Sequence, residues 1–84
     1  MNNLQLSILK VIEDWIHSGK KSPITLRDIE KGLPDDIKPG TIRAAVNALC
    51  YKGYIHRGMN IKNNSAYIQT RFLSIEEREE IKAL

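Results

Sequence analysis

The 84-residue sequence predicts a single α+β domain in which three helices precede a two-stranded hairpin and a short C-terminal helix. Three observations carry the prediction. Apolar residues recur at three- and four-residue steps as far as Leu49, then alternate at two-residue steps beyond Gly53. Helix-start signatures stand at Thr25, Pro39 and Ser74. Residues 1–73 are expected to form the core and 74–84 the terminal helix.

Leu4, Ile8, Leu9, Val11, Ile12, Trp15 and Ile16 fall on one stripe of a first helix running to about Ser18, where Gly19 can take the left-handed cap. After the turn Lys20-Lys21-Ser22-Pro23, Thr25 and Asp28 form a variant capping box that opens a second helix, Leu26 to about Gly32. The loop from Leu33 to Ile37 is anchored by Leu33 or Ile37. Pro39 then suits the first position of a third helix, 39–52, whose apolar stripe is Ile42, Ala45, Val46 and Leu49 and which Gly53 ends. The opposite face carries Gly40, Ala44, Asn47 and Tyr51, with Arg43 on one flank and Thr41 and Ala48 on the other. Tyr54 to Arg57 and Ala66 to Phe72 read as strands of a hairpin over 54–72 that turns at Lys62-Asn63-Asn64-Ser65. In the second strand Ala66, Ile68, Thr70 and Phe72 share one face and Tyr67, Gln69 and Arg71 the other, so one side packs on the helices and the other stays wet. Ser74 and Glu77 form a capping box for the last helix, whose Ile75, Ile81 and Leu84 serve as core, as partner surface, or as both.

Charge is unevenly distributed. Met1 to Ile37 holds five basic residues against six acidic ones, and Ser74 to Leu84 holds two against four. Lys38 to Leu73 holds Lys38, Arg43, Lys52, Arg57, Lys62 and Arg71 with no Asp or Glu at all. A basic segment of this kind attracts polyanions over roughly a Debye length, about 10 Å at 0.1 M salt. Small residues on the exposed face of the third helix allow close approach to another surface. Arg43 and Asn47, one turn apart, are suited to guanine and adenine edges. Lys62, Asn63, Asn64 and Ser65 at the hairpin tip can all donate to phosphate oxygens.

The stretch from Ile24 to Phe72 resembles the winged helix-turn-helix DNA-binding family. ITLRDIEKGL is similar to the first helix of the helix-turn-helix, PGTIRAAVNALCYKGYIHR to the recognition helix entering the first wing strand, and AYIQTRF to the returning strand. The phrase from Thr41 to Arg57 is the nearest match, similar to LexA-, BlaI- and MarR-type repressor domains. The connection Leu33 to Lys38 is longer than the turn of the simplest members, and no second domain for ligand sensing or autocleavage is expected within these 84 residues. The resemblance implies that Thr41, Arg43, Ala44 and Asn47 occupy base-contacting positions and that Lys38 and Lys52 sit where phosphates pass. It likewise assigns Arg57, Lys62 and Arg71 to the wing.

Other chemistry finds little support. An 84-residue chain has little room for a deep catalytic cavity beside its core. His17 and His56 lack the neighbours that make a ligand pair or a nucleophile dyad, and Cys50 reads as a small core hydrophobe. No P-loop or dinucleotide turn occurs, so no cofactor and no enzymatic activity are expected. No apolar run approaches the roughly 18 residues of a membrane span, the N-terminus lacks a secretory signal, and one cysteine makes no internal disulfide. A soluble cytoplasmic protein is expected. The reading is a sequence-specific double-stranded DNA-binding protein, a small transcriptional repressor that reads the major groove with helix 39–52 and the backbone or minor groove with the wing 54–72, acting as a homodimer through its first or last helix. The alternatives are a protein-interaction winged helix and an architectural or recombination accessory factor of phage or plasmid type.

Overall fold

The computed structural model of the chain describes residues 1–20, 23–61 and 64–84. It is an α+β domain with the order α1 (Asn3–His17), β1 (Ile24–Thr25), α2 (Leu26–Lys31), α3 (Pro39–Tyr51), β2 (Ile55–Ile61), β3 (Asn64–Gln69) and α4 (Ile75–Lys82). The three strands form one antiparallel sheet in the order β1-β3-β2. None of the described helices is long and apolar enough to cross a membrane.

Helix starts are fixed by local chemistry. Asn2 caps α1 by accepting the Gln5 backbone N–H at 2.8 Å. Thr25 does the same for Asp28 at 3.2 Å while the Asp28 carboxylate accepts the Thr25 N–H at 3.1 Å. The box at Ser74 and Glu77 opens α4 in the same way. Each such cap contributes about 1 kcal/mol to its helix. At the other end of α3, Gly53 adopts φ +84°, a left-handed conformation that costs glycine little and turns the chain from helix into sheet. Gly32, which ends α2, is required for a different reason. A Cβ there would meet both Val11 methyl carbons at 2.8 and 2.9 Å, so its bareness sets how closely α2 approaches α1.

The core gathers Ile8, Leu9 and Ile12 of α1, Ile29 of α2, the whole predicted stripe of α3, and Tyr54, Ile55 and Tyr67 at the base of the sheet. Leu33 is buried, and Ile37 is partly buried against the core. Ile16 departs from expectation. It lies on the core stripe, but in the last turn of α1, where the helix runs past its partners and leaves it 46% exposed. Leu6 lies off that stripe and is buried, because α1 is flanked by α2, α3 and α4 rather than by one surface.

The sheet differs from the sequence reading in several places: β2 runs past Arg57 to Ile61, and Asn64 and Ser65, expected in the turn, pair with Ile61 and Asn60 as the start of β3. Ile24 and Thr25 form a third strand by pairing with Tyr67 and Ala66; a two-residue strand is too short to show a period of two. The second hairpin strand ends at Gln69 instead of Phe72. Thr70 closes the pairing, donating its backbone N–H to the Tyr54 carbonyl at 3.0 Å and its hydroxyl to the Gly53 carbonyl at 2.9 Å. Beyond it Arg71 and Phe72 leave the sheet. The packed face of the sheet is the one carrying Tyr67, Ile55 and Ile24, whereas Ile68 and Phe72 are 49% and 88% exposed. The last helix settles on the core through Leu73 and Ile81 and leaves Ile75 outside.

Candidate functional site

The third helix presents the face its periodicity predicts. Ile42, Ala45, Val46 and Leu49 are buried, and Gly40, Thr41, Arg43, Ala44, Asn47 and Tyr51 are exposed. Tyr51 projects almost fully into solvent, at 94% exposure. Lys38 and Thr41 lie exposed at the N-terminal end of the same helix.

Beside this face stands Arg57 of β2. Register pairs Arg57 with Tyr67 and Tyr67 in turn with Ile24, so all three side chains lie on the packed face of the sheet. At the edge of that row Arg57 holds its guanidinium 5.8 Å from the centre of the Tyr67 ring. It reaches across to α3, where Nη2 donates to Asn47 Oδ1 at 2.6 Å. A register shift between Arg57 and Asn60 alters the strand just past this contact. The Cys50 thiol lies close by; burial pushes its pKa up, partly opposed by the Arg57 charge and a backbone hydrogen bond from Arg57.

Arg43 faces a different neighbourhood. It lines a polar cleft of about 370 Å³ with Leu26, Arg27 and Glu30 of α2 and Asn64 and Ser65 at the start of β3. The hairpin therefore closes on α2 as well as on α3. Glu30 brings a carboxylate to the border of the acid-free segment.

The remaining sequence-predicted residues scatter. The Lys52 ammonium donates to Gln5 Oε1 of α1 at 3.2 Å, away from the Asn47–Arg57 pair. Arg71 lies past the end of β3, at the base of the hairpin, with its guanidinium 4.5 Å from the centre of the Tyr54 ring. It belongs to the α4 side of the domain and not to the wing tip, because the strand ends three residues earlier than its alternation indicates. Lys62 and Asn63 fall outside the described residues. The link from Asn47 to Arg57 was not legible in the sequence, since it joins a helix to a strand across ten positions without a local spacing rule.

Around α4 the polar groups bind one another. The Tyr54 hydroxyl donates to Glu77. That bond, then burial, raises the phenol pKa, and the Ser74 backbone N–H, followed by the Tyr54 hydroxyl, holds the Glu77 carboxyl below its ordinary range. Glu13 of α1 accepts from Gln69 at 3.1 Å and lies 3.7 Å from Arg78 and 3.6 Å from His17.

A second concavity, about 400 Å³, opens between the end of α1 and the end of β3. Ile12, Ile24 and Tyr67 are buried beneath it; Ile16, Ile68 and Phe72 stand exposed around it. Lys20 and Arg71 are its charged lining residues, and no carboxylate lines it among the described residues. Nor do three His, Cys, Asp or Glu side chains come together in a metal-binding group among the described residues.

Compared with models of known protein families, with characterised proteins and with solved structures, the chain finds no match.

Proposed function

We propose that the protein is a double-stranded DNA-binding module of winged-helix type that acts as a transcriptional repressor. The observation that carries this reading is the exposed face of α3, small at Gly40 and Ala44 and basic at Arg43, with Arg57 of β2 joined to Asn47 beside it. A helix entering a major groove needs small residues for close approach and long donors for base edges, and this face supplies both. The element order, with a strand pair directly after α3, is compatible with a winged helix. In this reading Thr41 stands with Arg43 and Ala44 on the groove-facing side of α3, Lys38 approaches the phosphates flanking the groove, and the hairpin lies toward the adjacent backbone.

The reading includes a homodimer, because one module of this size covers too little DNA for useful specificity. The second copy fits the groove beside Phe72. Its exposed apolar residues carry Lys20 and Arg71, while the neighbouring α4 exposes Ile75 together with Glu76, Glu79 and Glu80. Two copies related by a two-fold axis set the basic groove of each against the acidic helix of the other, the reciprocity an isologous contact requires.

Selection from a randomised duplex pool at two salt concentrations tests the reading. An enriched motif, and an affinity that falls by about two or three decades between roughly 50 and 200 mM salt, is the expected result. A two-fold symmetric motif reports the dimer. Negligible binding at low salt removes the DNA reading and leaves the basic face to an acidic protein partner.

A further inference from the structure

Asn47 and Arg57 divide their hydrogen-bonding capacity in a way that assigns their roles. An asparagine that reads adenine uses both ends of its amide, the carbonyl accepting from the N6 amino group and the NH2 donating to N7. The Asn47 carbonyl accepts from the Arg57 guanidinium at an N···O separation of 2.6 Å, a short bond in keeping with an ionised donor. What the pair turns outward is a set of donors: the Asn47 NH2 and the remaining guanidinium N–H groups. Of the base pairs in a major groove, G·C presents two acceptors side by side on one base, guanine O6 and N7.

Arg57 is also held from behind. Its cross-strand neighbour Tyr67 is 2% exposed, so the ring over which the guanidinium sits is fixed in the core. A long side chain restrained by a ring and by a carbonyl acceptor has already lost much of the rotamer freedom that binding would otherwise remove. Neither restraint removes its charge, because Asn47 is neutral and no ion pair to Arg57 occurs among the described residues.

We infer that Arg57 is a specificity-determining residue of the DNA-binding face, directed at guanine, and that Asn47 is its positioning residue and not a reader of adenine. This rests on the DNA-binding reading. It also moves Arg57 from the wing to the base-reading surface of α3.

Selection from a randomised duplex pool, run side by side for the natural chain and for Arg57→Ala, Asn47→Ala and Asn47→Asp, tests it. Thermal melting of each variant establishes that these exposed substitutions leave the fold intact. The natural chain is expected to enrich a motif with a guanine position that Arg57→Ala relaxes about ten-fold or more. Asn47→Ala weakens preference at that same position. Asn47→Asp preserves it, since a carboxylate still accepts from Arg57, while affinity for all sequences drops through repulsion from phosphate. The inference is overturned if an adenine position is lost in both Asn47 variants and kept in Arg57→Ala, because an aspartate has no N–H for N7. It is equally overturned if Arg57→Ala weakens all sequences alike. In both of these cases the DNA-binding reading survives, whereas absence of binding by the natural chain removes both.

Discussion

The exposed face of α3 and the seam where α4 meets the core are both rich in charge and treat it in opposite ways. Around α4, Glu77 accepts from Tyr54 and from the Ser74 backbone, and Glu13 is surrounded by Gln69, Arg78 and His17. On the α3 side Arg43 and Arg57 have no carboxylate within ion-pair distance among the described residues, and the hydrogen bond from Arg57 goes to a neutral amide. The difference teaches that a net charge of +3 says little about a partner; what matters is which charges are compensated from within. A compensated charge holds the domain together, and an uncompensated one remains available to an anion.

The largest expected effect separates the two sides directly. Arg43→Ala and Arg57→Ala should each reduce DNA binding by about 1–3 kcal/mol, and each should leave unfolding free energy within about 0.5 kcal/mol, since both side chains are exposed. Titration of a selected duplex beside a denaturant melt checks both halves. If either variant unfolds easily, the α3 face is structural after all.

Next in size, Ser74→Ala should cost about 1 kcal/mol of stability and leave DNA affinity unchanged. Its pH behaviour has a definite sign. The Glu77 carboxyl sits lower in the folded chain than its unfolded value of about 4.3, so its contribution is full above that value and disappears as pH falls through the folded pKa. Tyr54 is raised, so its contribution is full below about 10 and is lost as pH rises through the folded value. Glu77→Gln should flatten the acid limb of a stability–pH curve and Tyr54→Phe the alkaline limb. An unchanged acid limb in Glu77→Gln would mean that α4 is held by its apolar contacts alone.

Much of this division was legible in residues whose structure is decided locally. The face of α3 follows from the spacing of Ile42, Ala45, Val46 and Leu49, and the caps at Thr25 and Ser74 from side chains three residues from their partners. What stayed hidden was decided at a distance. The strand at Ile24 exists only because Tyr67 lies opposite it. The choice of packed face in β3 went to Tyr67 through its alignment with Ile24 and Ile55 on adjacent strands, though Ile68 and Phe72 are as apolar. Lys52 and Arg71, basic in the sequence like Arg57, were drawn to Gln5 and Tyr54 by the closing of α1 and α4. A count of charges along the chain cannot separate these from Arg57.

A smaller effect on folding is expected at Phe72, which stands exposed beside the groove between α1 and β3. At 88% exposure its replacement by Asp should change monomer stability by no more than about 0.5 kcal/mol. Its effect should appear in assembly instead, as a monomer at concentrations where the natural chain sediments as a dimer. A dimer that survives Phe72→Asp places the contact elsewhere, and a natural chain that stays monomeric removes the two-fold model.

The smallest effect is expected where an ion pair is most visible. Arg78 lies 3.7 Å from Glu13, but its side chain is 45% exposed, so solvent screens the attraction and the arginine gives up rotamer freedom to maintain it. Glu13 keeps the Gln69 amide at 3.1 Å when Arg78 is removed, so no carboxylate is stranded. Arg78→Ala should therefore cost about 0.5 kcal/mol or less, with little dependence on salt. A loss above about 1 kcal/mol that shrinks as salt rises would reverse the account of α4. The helix would then be docked by charge from Glu13 in addition to the apolar contacts of Leu73 and Ile81.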